Sequence, residues 1–271
     1  MKLKSWYDAP RYFDIAFQDE TQREVAFFLD VCDRYLDQSP ELPMRIYEPG
    51  CGSGRLVAAM AALGHHVIAL DANEAMMRYV RRRVARSIVV EKSGGQVHCI
   101  HGDMTDHVCP KPVDLAFCTF NTFRHLTSHQ AATKHLRSVA ASLRVGGVYV
   151  LGFHCLPMDV DPESIERWTA QRRHTRVSVT FRVLAFHRRA RKEDIRVSLK
   201  ATDSKTGQVD RIRSEFPLRL YTPQQAIQLL SDVDDQFELL TIHDFDYEID
   251  QTRRVDSNLI DAVFVLRRRE G

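Results

Sequence analysis

The stretch Glu48-Pro49-Gly50-Cys51-Gly52-Ser53-Gly54-Arg55 decides the fold. Arg45-Ile46-Tyr47-Glu48 ahead of it reads as a short strand, and Leu56 to Leu63 behind it as a helix stopped by Gly64. Glycine lets the backbone turn sharply with positive φ. It also lets a ligand press against main-chain N–H groups at a helix N-terminus. His66-Val67-Ile68-Ala69-Leu70-Asp71 is the next strand, and Asp71 ends it seventeen residues after Gly54. A carboxylate there can accept hydrogen bonds from both ribose hydroxyls of an adenosine-containing ligand. A dinucleotide-binding turn reads G-x-G-x-x-G; here Arg55 stands where its last glycine belongs, and the pattern is acidic-x-Gly-x-Gly-x-Gly.

Working outward, the spacing predicts a helix from Asn73 to Val84, strands over Gln96–His101 and Val113–Thr119, a helix over Gln130–Leu143 and a strand over Gly147–Phe153. Strands alternating with helices imply βαβ units and a mostly parallel sheet covered on both faces. Towards the N-terminus, Asp19 with Gln22 predicts a capped helix to Leu36, and Trp6 to Asp14 reads as aromatic and irregular. After Cys155 the period changes to two: Val177, Val179, Phe181 and Val183 alternate with polar residues, as do Ile195, Val197 and Leu199. That is antiparallel sheet with one wet side. Thr222-Pro223-Gln224-Gln225 opens another helix, and strands near Phe237–His243 and Ile260–Leu266 close the chain. The expected fold class is α/β: a Rossmann-like, seven-stranded, mostly parallel sheet with an antiparallel insert after the fifth strand.

Composition removes several classes of protein. The 271 residues are 44% hydrophobic and 27% charged, which excludes global disorder. Lys and Arg number 38 against 36 Asp and Glu, so no general polyanion-binding coat is expected. No apolar run reaches the ~18–20 residues of a membrane span, and the segment from Met1 to Phe13 lacks the apolar core of a secretory signal. The six cysteines form no C-x-x-C pair and mostly lie in apolar segments, which points to reduced thiols in the cytoplasm. No clustered ligand set suggests a metal.

The glycine turn with Glu48 ahead and Asp71 after it resembles the class I S-adenosylmethionine (SAM)-dependent methyltransferases, over about Arg45 to Phe153. The resemblance implies that Glu48, Gly50, Gly52 and Gly54 hold the methionine part of SAM, that Asp71 binds the ribose, and that Cys51, Ala72 and Met76 are further cofactor contacts. His101-Gly102-Asp103-Met104 matches the acidic position after the third strand. It implies Gly102, Asp103 and Met104 around the adenine. Phe120-Asn121 and the following Thr122-Phe123-Arg124-His125-Leu126 resemble the N-S-x-x-H-L stretch of small-molecule methyltransferases, beside the reactive sulfonium. Leu143-Arg144-Val145-Gly146-Gly147 resembles the L-x-P-G-G turn, with Val145 in place of proline. Tyr7-Asp8 and Tyr12-Phe13-Asp14 resemble the N-terminal lid of this branch. The insert resembles the sheet roof of glycine and amino-sugar N-methyltransferases. The implied organisation is a lid and helix over 1–43, a SAM-binding core over 44–155, a substrate cap over 156–221 and closing elements over 222–271.

Transfer of an activated methyl needs a lone pair placed in line and water kept out. A neutral amine needs little more, whereas a hydroxyl usually needs a base. His125, Tyr7 and Tyr12 are the candidates for base or positioner, and Tyr12 is also a candidate for the SAM carboxylate. Arg55 is another, although a charge at that helical position is more often solvated. From Glu166 to Lys200 there are eleven Lys or Arg against three Asp or Glu. That run is either a solvated sheet face or a surface that steers an anion. The leading expectation is a cytoplasmic enzyme, monomer or homodimer, that methylates a small-molecule amine or, less favoured, hydroxyl and yields S-adenosylhomocysteine. The open alternatives are an RNA or protein methyltransferase docking through the basic run, a nicotinamide-dependent oxidoreductase, and a non-catalytic SAM-binding module.

Overall fold

The computed structural model describes residues 5–38, 40–156 and 165–270. Five parallel strands carry the core: β1 (Arg45–Pro49), β2 (His66–Asp71), β3 (Gln96–His101), β4 (Val113–Cys118) and β5 (Leu143–His154). β10 (Phe237–His243) and β11 (Asp261–Arg268) add an antiparallel edge, giving the order β10-β11-β5-β4-β1-β2-β3. The strand order reverses between β1 and β4, because β1 pairs in parallel with both β2 and β4. In such sheets the crevice beyond the strand C-termini at that reversal is where ligands bind.

The helices are α1 (Pro10–Ala16), α2 (Thr21–Tyr35), α3 (Arg55–Ala62), α4 (Glu74–Ala85), α5 (Ile88–Ser93), α6 (His129–Ser142) and α7 (Pro223–Ser231). Both faces of the sheet are covered, as buried parallel strands require. One core layer includes Tyr47, Leu136, Tyr149 and Phe264. The other includes Phe28, Ile46, Phe117 and Val150, with Phe28 stacked on Phe117 at 4.4 Å.

A second sheet, β6 (Ile165–Arg172), β7 (Thr175–His187), β8 (Lys192–Asp203) and β9 (Val209–Arg219), is a four-stranded antiparallel meander. Val179, Val197 and Leu218 on its inner face form a third apolar cluster with Trp6 and Ile15 of the N-terminal segment. Its outer row carries Arg182 opposite Arg196, and Arg196 opposite Glu215.

Three local expectations are corrected. The aromatic N-terminal segment is helical: a 3-10 turn, Trp6–Asp8, capped by Ser5, leads into α1 with Pro10 at its start. The next helix begins at Thr21 rather than Asp19, because Gln18–Glu20 forms a separate 3-10 turn with no side-chain cap. The fifth strand begins at Leu143, so the Leu143–Gly147 stretch is extended backbone with Gly146 at φ +75°. The capping box of Thr222 and Gln225 forms as expected.

Asp14 ties the N-terminal segment down. It is buried and meets Arg83 and Tyr79 of α4 and Arg172 of β6, with Arg172 Nη1 at 2.5 Å and Tyr79 Oη at 2.9 Å. Burial disfavours its charge, but the two guanidiniums hold its pKa below the usual carboxylate value.

Candidate active site

The glycine turn joins β1 to α3 with Gly50, Gly52 and Gly54 at φ +72°, +53° and +68°. L-residues rarely adopt that region. At Gly50 an added Cβ would also strike Thr122 Cγ2 at 2.4 Å. The Asp71 carboxylate braces the turn, accepting the Gly52 N–H at 2.8 Å and the Asn73 N–H at 2.7 Å. Burial raises the Asp71 pKa, against those two N–H groups. Glu48 lies behind the turn, buried, and its Oε2 has no hydrogen-bond partner among the described residues. Burial pushes its pKa well up, Arg55 opposing. An unpaired polar atom at such a depth is costly unless a ligand satisfies it.

These residues open onto a cleft of about 1210 Å³ between the parallel sheet, the N-terminal helices and the second sheet. Its floor is the glycine turn and the loop after β4. Trp6, Tyr7, Phe13 and Phe17 form one wall, and Trp168, Phe181, Phe216 and Leu218 the roof. Phe120 and Asn121 adopt φ +57° and +65° without being glycine. Backbone strain of that kind persists only where neighbours enforce it. Here Phe120 stacks on Phe245 with Arg55 over its ring, and the Asn121 Oδ1 accepts the His154 N–H at 2.9 Å.

Most of the residues singled out in the sequence meet in this cleft. Glu48, Gly50, Cys51 and Gly52 reach it from the turn, Asp71 and Ala72 from the end of β2, and Asp103 and Met104 from the end of β3. Phe120, Asn121 and His125 reach it from the loop after β4, and Tyr7 from the N-terminal wall. Four do not line it. Gly54 turns towards Val80 of α4, and Gly102 lies over Leu70 and Ile100. Met76 is buried on the inward face of α4. Tyr12 donates its hydroxyl to Asp210 at the rim of the second sheet, and burial with that carboxylate pushes its pKa up to about 12. One residue further along α1 turns the side chain by ~100°, so Phe13 faces the cleft in its place.

Tyr7 and His125 come together, hydroxyl to Nε2, at 2.9 Å. Enclosure by the cleft walls, and then Arg124, bring the His125 pKa down to about 4, so the ring is neutral. Burial raises the Tyr7 pKa, which keeps its hydroxyl protonated and able to donate. Arg55 is not solvated: it forms an ion pair with fully buried Glu24, which also accepts from Thr119 Oγ1 at 2.8 Å and Tyr247 Oη at 3.2 Å. Arg124 is buried against Glu193 of β8, fastening the second sheet to the loop after β4.

One pair escaped the sequence reading. His154, at the end of β5, bonds through Nδ1 to the carboxylate of Asp261 at the start of β11, and both line the cleft. The strands pair these two positions directly. The available signal was a histidine ending an apolar strand on the cofactor side of the sheet; its partner lies 107 positions away.

Residues 46–147 match the family model described as a methyltransferase domain. No curated protein matches the chain by sequence. Several solved structures are similar in fold. A SAM-dependent methyltransferase from Clostridium acetobutylicum is 14% identical, with 97% of this chain and 98% of that chain covered and a TM-score of 0.73. The sugar N-methyltransferase KedS8 from a Streptoalloteichus species is 17% identical, with coverages of 100% and 95% and a TM-score of 0.70. The SAM-bound amino pentose methyltransferase CalS10 from Micromonospora echinaspora is 16% identical, with coverages of 99% and 98% and a TM-score of 0.66. No helix of the described residues is long and apolar enough to cross a membrane.

Proposed function

We propose, from the premise that this chain carries a methyltransferase domain in the fold of the class I SAM-dependent enzymes, that it transfers the methyl of SAM to an amine of a small molecule. SAM supplies a methyl already activated on a positively charged sulfonium. The residues of the cleft fit it. The orphaned Glu48 oxygen offers an acceptor at the turn, the positive-φ glycines at Gly50 and Gly52 keep the turn free of side chains so that a ligand can press against its backbone, and Asp71 offers a carboxylate at the ribose position. Asp103 and Met104 are the proposed adenine contacts, and Phe120 and Asn121 the proposed contacts near the sulfonium. Gly54, Gly102 and Met76 support the turn and the strand ends from behind.

The observation that carries the amine reading is the charge of the acceptor side. Its roof is aromatic, and Glu166, Asp261 and His154 open onto it. The cations there, Arg55 and Arg124, are each already paired with a buried carboxylate. An ammonium on an apolar or sugar-sized body is complementary to such a site, and an anion is not. Arg182 and Arg196 of the basic run lie on the outward row of the second sheet, which favours a solvated face over steering into the cleft. The neutral Tyr7–His125 pair serves to position the acceptor and hold the N-terminal wall closed; Tyr12 serves the wall alone. The KedS8 and CalS10 likenesses agree with an amino-sugar-sized acceptor. Six free cysteines, mostly buried, suit a reducing cytoplasm.

The test is transfer of label from methyl-labelled SAM to a panel of primary amines, secondary amines and matched alcohols. Label on amines alone is expected. Label on alcohols alone would overturn the amine reading.

A further inference from the structure

We propose that His154 is the catalytic base of this cleft and that Asp261 is its positioning residue: Nε2 of His154 takes the proton from the acceptor ammonium. This rests on the amine reading above.

The geometry is that of an oriented imidazole. Asp261 engages Nδ1, so Nδ1–H donates to the carboxylate and Nε2 keeps its lone pair. Among the described residues no partner takes Nε2. The residue is held at two further points. Phe245 meets it edge-on at 5.0 Å, and the His154 backbone N–H is held by Asn121. Phe245 in turn stacks on Phe120, so the base and the cofactor-side loop form one packed unit. The side chains of His154 and Asp261 are 33% and 42% exposed, and that exposure opens into the cleft. His125, a candidate base or positioner from the sequence, contrasts with it: its Nε2 is taken by Tyr7. The groups held against His154 are Asp261 on β11, Asn121 on the loop after β4, and Phe245.

The step balances. An amine enters as ammonium, and its proton passes to Nε2, giving an imidazolium stabilised by Asp261. The freed lone pair forms the N–C bond to the methyl as the C–S bond breaks, and the bonding pair stays on sulfur. The proton leaves His154 to water before the next turnover.

Two measurements test this. The first needs no turnover: nitrogen-15 spectra of histidine-labelled protein should show His154 as the Nδ1–H tautomer, and Asp261→Asn should abolish that preference. The second uses the primary amines of the panel. His154→Gln should lower kcat by about a hundredfold near neutral pH, and Asp261→Asn, by losing the tautomer, should lower it in the same direction. The deficit should shrink as pH approaches the amine's own pKa of about 9–10, where the free base no longer needs deprotonation. A purely structural role would give a deficit independent of pH. SAM titration into each variant separates misfolding from lost chemistry, and unchanged SAM affinity is expected. An Nε2–H tautomer, a pH-independent deficit, or full activity in His154→Gln overturns the proposal while leaving the amine reading intact. A wild type that methylates no amine overturns both.

Discussion

The Tyr7 hydroxyl lies 2.9 Å from Nε2 of His125, joining residues 118 positions apart across the mouth of the cleft. Both groups are held in the forms this bond needs, a protonated phenol and a neutral imidazole. Tyr7→Phe removes the donor and should cost ~1 kcal/mol of closure of the N-terminal wall. Faster amide exchange over residues 6–16, with the parallel sheet unaffected, is the expected result. Unchanged exchange would mean that aromatic packing alone holds the wall.

Asp14 is the stronger fastening. Its carboxylate is buried among Arg83, Arg172 and Tyr79, so Asp14→Asn leaves two guanidiniums short of their counter-charge. Removing one member of a buried ion cluster costs ~3–5 kcal/mol. Denaturant unfolding should show a lower midpoint, with the N-terminal segment melting first. A midpoint equal to the wild type would contradict the role given to this cluster.

Gly50 and Gly52 should respond differently to alanine. Both need positive φ, but a Cβ on Gly50 also meets Thr122 Cγ2 at 2.4 Å, whereas on Gly52 it meets only the Phe13 ring at 3.4 Å. Backbone strain alone costs of order 1–3 kcal/mol. Gly50→Ala should therefore lower stability and SAM affinity more than Gly52→Ala. The reverse order in calorimetry would count against the turn geometry described here.

His135 gives stability a specific acid dependence. It is fully buried; Nδ1–H donates to the Met104 carbonyl at 2.8 Å and Nε2 accepts from the Tyr149 hydroxyl at 2.7 Å. Burial takes its pKa down from 6.5 to about 4, against the pull of that carbonyl. The unfolded chain takes up a proton below pH 6.5 and the folded chain does not, so stability falls as pH drops from 6.5 towards 4. The loss from this group alone is about 3 kcal/mol. His135→Gln should flatten that slope in urea unfolding between those limits. An unchanged slope would assign the acid sensitivity elsewhere.

The parts of the fold that were legible in the sequence are those set by local backbone rules. The glycine turn, the strand before it and Asp71 after it read directly, because positive φ and strand-end acids leave fixed residue types. The second sheet was legible from its alternation except for β6, whose residues are mostly exposed and carry little apolar rhythm. The helix α1 was not legible, since an aromatic segment interrupted by Pro10 gains its helix from packing on the second sheet. Tyr12 and Phe13 could be separated only once α1 was known to be helical. The His154–Asp261 pair depends on an antiparallel return 107 positions later, which no local pattern announces.

The central claim is that this cleft holds SAM through the glycine turn and Asp71. Calorimetric titration of SAM and of S-adenosylhomocysteine into the purified, ligand-free protein, with Asp71→Ala alongside, tests it most directly. Saturable one-site binding by the wild type, lost or weakened by at least tenfold in the variant, is the predicted result, equivalent to ~1.4 kcal/mol or more. No binding by the folded wild type, or equal binding by Asp71→Ala, would contradict it.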